Sequence, residues 1–409
     1  MSVFSEVTDD HVLTRRGGGA FLARLQRNLN ELLAHLPPGA DVATLDVAAG
    51  ELDAEIAFEK EFAADFSQRL ATLDAAADPA VLAATMAGAR EIVAAYFARR
   101  QAVLPLYRHG TMLVDRATTV ALRLAGRWLA ESGVGPPPPS WCWMTLGAAG
   151  RGEASLTGEY DALLIYAAEA GDDASSVVGF AGRAVKILEQ AGFASRRGVT
   201  PTSQLWRADA DEWWKRLRSA AGEGGDAFEL LVRLADLRFM AGDPALAEQM
   251  VARVRTILAD HQAEFFAMAR RTAMMPGGFD FFGRLKVGRV GEQRGLFNLS
   301  AAGLEPLVAN VRLLAVHHGV SATGTMARIQ ELLQRGKIDV ELAGRLLETC
   351  HLFGRSVGNW QAGGCGGRGG DVLVNPEELS TVDERDLKSA VEAVGNLQKI
   401  IYSSIASQG

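Results

Sequence analysis

The chain has 409 residues, 48% of them hydrophobic and 22% charged, with a formal charge of -7 and a pI near 5.6. That length and balance predict a globular protein of about two to three domains with a sizeable core. The acid excess argues against long DNA or RNA as a partner, since grip on a phosphate backbone calls for a basic face. Cys142, Cys350 and Cys365 form no C-x-x-C pair. Neither a zinc site nor a disulfide framework is expected, and a reducing cytoplasm fits best. The first residues, MSVFSEVTDDHVLTRR, place acids before bases around no apolar core and do not read as a signal peptide. No uncharged apolar run of about 18 residues occurs, so no membrane association is expected.

In chain order, residues 20–36 and 43–133 read as helices, rich in Ala, Leu, Glu and Arg at helical spacing and softened at Pro105 and Gly110. The proline run at 136–139 ends this region. WCWMTL (141–146) then reads as a buried strand running into Gly147, and ALLIYAA (162–168) as a second strand preceded by the acidic EYD (159–161). Residues 175–193 have the pattern of an amphipathic helix closed by Gly192, while 230–242 fits helix or strand equally. Helical patterns return at 245–273, 301–319, 323–335, 338–358 and 384–405, interrupted by a glycine-rich loop at 361–371. The expected class is α/β + α: a helical region at 1–136, a small mixed-sheet core at 137–245 and a helical bundle at 246–409.

The stretch that carries chemistry is LGAAGRGEASLTGEYDALLIY (146–166). Residues i and i+2 of a strand share a face, so Glu159 and Asp161 project two carboxylates together, about 6–7 Å apart along the strand. That pair suits Mg²⁺, which prefers carboxylates and substrate phosphates to a complete protein cage. Glycines at 147, 150 and 152 let backbone approach a ligand, and Arg151 offers charge to phosphate oxygens.

This segment resembles the DNA polymerase β nucleotidyltransferase superfamily, in which a strand, a Gly-Ser turn and an acid-x-acid strand follow one another. More closely it resembles the nucleotidyltransferases found behind CBS and cyclic-nucleotide-binding domains, relatives of the uridylyltransferase that modifies the PII signal protein. Gly147, Gly150, Arg151, Glu153, Leu156, Asp161, Leu163 and Ile165 fall in step with that family's pattern. LADLRFMAGDPALAEQM (234–250) is similar to its D-L-R-x-x-x-G-D segment, and residues 278–333 to its helical C-terminal domain. Leu304, Pro306, Arg312, Thr325 and Arg328 are among the matched positions there. The likeness spans about residues 85–405.

The resemblance implies a third catalytic and metal-binding carboxylate at Asp236, beside Glu159 and Asp161. It implies a nucleotide site made by Gly147, Ala148, Gly150, Arg151 and Arg238. It further implies Mg²⁺ or Mn²⁺ as cofactor, a nucleoside triphosphate as substrate, a role in signal transduction, and transfer of the nucleotidyl group to a hydroxyl of a protein or small molecule. The chain departs from the family at Ala148 (Ser), Gly158 (Thr), Glu159 (Asp), Ala162 (Asn) and Ser300 (Lys). The alternative reading is a binding protein on the same fold without catalysis. Trp141, Trp143, Trp206, Trp213 and Trp214 read as core or pocket wall, the pair His317-His318 as non-ligating, and Arg284, Lys286 and Arg289 as a solvated basic turn.

Overall fold

The structure is a computed structural model and describes residues 42–133, 136, 139–167, 174–195, 197–363, 371–405 and 407. The helix expected at 20–36, the glycine-rich stretch 364–370 and Cys365 lie outside them. The chain divides into two compact units, 1–75 and 76–409. In the first, helix α1 (Val42–Asp74) runs 33 residues, with Phe62 stacked on Phe66 one turn away.

The second unit opens with α2 (Pro79–Arg100) and α3 (Val103–Glu131). Asp78 caps α2 by accepting from the N–H groups of Ala80 and Val81, and Pro79 occupies the first position, where a missing N–H costs nothing. The helix ends at Gln101, which takes a left-handed φ of 51°. The helical run therefore breaks at 75–78 and at 101–102 instead of at Pro105 and Gly110. Pro105 sits in the first turn of α3, where its ring is tolerated. Gly110 lies inside the helix and serves a crossing: a Cβ there would stand 2.3 Å from the Ala154 carbonyl oxygen.

Among the described residues α2 is the one helix long and apolar enough to cross a membrane by length and composition, with a mean hydropathy of 1.3 over its best window. It buries Leu82, Met86, Val93 and Phe97 within this unit.

The sheet has the order β3-β2-β1-β4. Strand β1 is Trp141–Leu146, and a one-turn helix α4 (Gly147–Gly150) follows it directly. Strand β2 is Asp161–Tyr166, α5 is Ala174–Gln190 and β3 is Arg207–Asp209. Helices α6 (Ala210–Glu223) and α7 (Gly225–Arg233) lead through a tight turn, Leu234–Asp236, into β4 (Arg238–Gly242). The ambiguous 230–242 is thus both helix and strand. Strand β1 is antiparallel to β2 and to β4, whereas β2 and β3 run parallel. Leu146 is the register partner of Asp161, so the end of β1 meets the start of β2.

Alternation along β1 and β2 decides what each face meets. Cys142, Met144, Leu146, Leu163 and Ile165 join the large apolar core. On the other face Trp143 donates its indole N–H to the Tyr160 hydroxyl (2.8 Å), which also receives the Thr118 hydroxyl of α3 (3.1 Å). Trp143, Trp206, Trp213 and Trp214 are all buried, whereas Trp141 is partly exposed. The helical remainder comprises α8 (Pro244–Asp260), α9 (Gln262–Ala273), α10 (Glu305–His317), α11 (Thr325–Gln334), α12 (Val340–Ala362) and α13 (Thr381–Ser404). A two-stranded ribbon pairs β5 (Phe297–Asn298) with β6 (Leu373–Val374), and a π-helical turn at Ser300–Leu304 leads into α10.

Candidate functional site

The end of β1, the start of β2, the α7–β4 turn and helices α9, α10 and α12 enclose a cleft of about 400 Å³. Gly147 and Ala148 line it. Gly147 has φ +64°, and a Cβ there would lie 3.3 Å from Asp161 Oδ2, so the turn presses against the acid strand. Gly150 serves a different contact. Its missing Cβ would stand 2.2 Å from the Asp236 carbonyl oxygen and 2.9 Å from that of Thr145. It lets α4 sit on the α7–β4 turn and is not a cleft-lining phosphate donor. Gly150→Ala should therefore destabilise the protein by about 1–3 kcal/mol through forced overpacking, read as a lowered urea midpoint with an unchanged slope.

Glu159 and Asp161 both line the cleft. Asp161 opens β2, and Glu159 is bridged to Ala194 just before it. Asp161 Oδ1 accepts from the Ser195 hydroxyl at 2.6 Å, and that hydroxyl in turn accepts from the Val199 N–H at 2.8 Å. Burial, reinforced by the neighbouring Glu159 charge, raises the Asp161 pKa against the Ser195 hydrogen bond and the more distant Arg197 and Arg233. For Asp161 the cost of burial thus outweighs the positive charge nearby. The departure at position 158 also has a local cause. A Cβ on Gly158 would fall 1.6 Å from the Gly192 carbonyl oxygen, where Gly158 O accepts from the Ala194 N–H (2.7 Å).

Asp236 lines the same cleft, with its carboxylate held by arginines. It lies in the turn before β4, on the other side of β1 from β2, and is 1% exposed. Its two oxygens are taken up by three guanidinium groups. Oδ1 accepts from Arg312 Nε (2.9 Å) and Arg328 Nη1 (2.8 Å), and Oδ2 from Arg312 Nη2 (2.6 Å) and Arg151 Nη1 (3.0 Å). Although burial opposes it, Arg312 and Arg151 hold the Asp236 carboxyl well below the ordinary carboxylate range. Among the described residues no three His, Cys, Asp or Glu side chains converge as a metal site. All three expected carboxylates thus line one cleft, Glu159 and Asp161 as a pair at the start of β2 and Asp236 bound by arginines in the turn before β4.

The two expected phosphate arginines are committed elsewhere too. Arg151 lines the cleft, yet its Nε donates to Glu153 Oε2 (2.6 Å) while Nη1 holds Asp236. Glu153 Oε1 accepts from the Thr325 N–H at the start of α11. Arg238 does not line the cleft. It grips Asp115 of α3 with two hydrogen bonds (2.9 and 2.7 Å) and the Ala149 carbonyl with two more (3.1 and 2.9 Å), fixing α4 to α3.

The cations whose partners are weaker were missed in the sequence. Arg197 pairs with Glu305 (3.0 Å) with both side chains near half-exposed, and Arg233 pairs with Glu229 (3.2 Å). Both line the cleft with Arg312. Burial lowers the Arg233 pKa, and the like charges of Arg197 and Arg312 add to that. Arg197 and Arg233, both acting on Asp161, with Arg312 adding like charge at Arg233, make the arrangement an anion would relieve. Asp209, on the parallel neighbour of β2, is paired with Tyr166 at the opposite end of that strand from Asp161 and caps α6, so it supplies no further acid here. Ser300, which stands where the family has Lys, lines the cleft and accepts from the Val372 N–H (2.9 Å). His317 and His318 stack edge-on with no acidic cluster, and Arg284 pairs with Asp280 on the surface.

A small mixed sheet with a glycine turn after its central strand and paired acids on the next defines a nucleotidyltransferase-like α/β core joined to a helical region. Two family profiles match this chain: "Putative nucleotidyltransferase DUF294" over residues 87–226 and "Putative nucleotidyltransferase substrate binding domain" over residues 262–405. The chain belongs to this nucleotidyltransferase family. No curated protein matches it.

Proposed function

We propose that the cleft binds a nucleoside triphosphate with Mg²⁺ or Mn²⁺ and transfers its nucleotidyl group to an acceptor hydroxyl, the α–β phosphoanhydride bond breaking to release pyrophosphate and the hydroxyl giving up its proton, as in the relatives of the PII uridylyltransferase. The observation that supports this best is the half-buried pair Glu159 and Asp161, the latter with a raised pKa, lining one cavity with Arg197 and Arg233. The residues fit a divalent cation through these two carboxylates, with remaining positions left to phosphate oxygens and water; they do not fit a third ligand at Asp236. A cation held there would polarise the reacting phosphate and neutralise its developing charge.

The chain's own groups do the rest. Ser195 orients Asp161 through one oxygen and leaves Oδ2 beside Gly147. Arg197 and Arg233 exchange carboxylate partners, Glu305 half-exposed and Glu229 about a third exposed, for phosphate oxygens. A cytoplasmic setting, where nucleoside triphosphates are abundant, fits this reading. The acceptor in the same reading is a protein, by analogy with the PII enzyme.

The test is calorimetric titration of ATP and UTP with Mg²⁺, followed by label transfer from the α-phosphate. Arg197→Ala and Arg233→Ala should each weaken triphosphate binding about 10-fold or more, as expected for loss of a charge-assisted hydrogen bond. Undiminished affinity in the double variant would count against the site. A second reading, binding without transfer, draws support from Asp236 being unavailable; metal-dependent binding with no label transfer to any acceptor would select it.

A further inference from the structure

The turn Leu234–Asp236 has two sides. One carries Asp236 toward the cleft; behind the other lies a second cavity of about 420 Å³ that shares no lining residue with the first. Its size falls within the range of small-molecule sites, roughly 300–1,000 Å³. Val254 and Leu258 of α8, Phe265 of α9, Val316 of α10, Val320, and Leu237 make its walls apolar. Packed interiors leave few voids larger than a water molecule, so a hollow of this size with hydrocarbon walls is a place shaped for an apolar guest.

The polar side chains of the lining are Arg255, Gln262, His317, Ser321 and Thr323. Arg255 is exposed, forms no recorded ion pair among the described residues, and is the one lining residue of permanent charge. Gln262 Nε2 donates to the Ala259 carbonyl oxygen (2.7 Å), which leaves its own carbonyl free to accept. His317 is half-buried and stacks on Phe265 at 6.0 Å. Burial, with Lys337 nearby, holds its ring below the ordinary value, so it stands neutral at pH 7 and adds no second charge.

We propose that this cavity binds a small amphipathic carboxylate, its hydrocarbon body among α8, Phe265 and Val316 and its carboxylate on Arg255. The site does not depend on nucleotide transfer, and it is tested without nucleotide. Decanoate titrated into the full chain should bind saturably at one site and raise the unfolding temperature. Arg255→Glu, a change at an exposed position, should weaken binding at least 10-fold. Ala259→Trp, at the exposed rim, should close the mouth and abolish it while the unfolding temperature without ligand stays within a few degrees. Decyltrimethylammonium, with the same chain and the opposite charge, should bind at least 10-fold more weakly than decanoate. Heat that never saturates, or decanoate affinity unchanged in both variants, would overturn the proposal. Equal binding of the cationic amphiphile would overturn the role of Arg255.

Discussion

Asp236→Asn should destabilise the protein by about 3–5 kcal/mol, the cost of leaving buried cations without their counter-charge. Arg328 and Arg312 are nearly as buried as Asp236, at 2% and 10% side-chain exposure, so water cannot take over. The pH dependence has a definite sign. The folded carboxyl lies well below its unfolded value of about 3.9, so its stabilisation is complete above that value and is lost as pH falls below it. Asp236→Asn should therefore lower stability at neutral pH and flatten the acid limb below about pH 4, measured by urea unfolding across pH. A metal ligand would behave differently, because its loss would leave the metal-free protein's stability almost unchanged. An Asn variant as stable as the parent would sink the arginine-bound assignment.

Asp161→Asn should do the reverse. On the proposed function, transfer should fall by about 1,000-fold or more, equivalent to roughly 4 kcal/mol of barrier, because the carboxylate pair proposed to hold the cation is broken. Stability should stay level or rise by up to about 1 kcal/mol. The folded pKa of Asp161 is raised, so the ionised group is a burden at neutral pH, and that burden disappears as pH falls through the raised value. Asn can still accept from Ser195, which keeps the local hydrogen bond. Label-transfer rates and thermal unfolding on one sample give both quantities. Transfer that survives in Asp161→Asn would place the chemistry elsewhere.

The strands and their acids were legible because their signals are local. WCWMTL is a short, nearly continuous apolar and aromatic run ending at a glycine, and it is β1 residue for residue. Glu159 and Asp161 share a face for the same local reason and share the cleft. Arg151, Arg238 and Asp236 were legible as important residues but not by role. Their roles depend on Arg312, Arg328 and Asp115, between 76 and 123 residues away for the pairs they form with Asp236 or Arg238. Strand β3 was missed because it is three residues long and owes its state to pairing with β2. The breaks in the long N-terminal helical run had a local signal in Asp78-Pro79, whereas Pro105 was misleading because position within a helix decides what proline costs.

The arginine-bound aspartate also bears on where the chain can be cut. Asp236 lies between the two matched segments: Arg151 belongs to the first, at 87–226, and Arg312 and Arg328 to the second, at 262–405. The short stretch that neither profile covers thus carries the negative charge that both halves enclose. Severed fragments corresponding to the two segments would each keep buried guanidinium groups without that anion. Mixing them would restore the charge balance only if residues 227–261 remained attached to one fragment, so complementation should follow the linker and not either half.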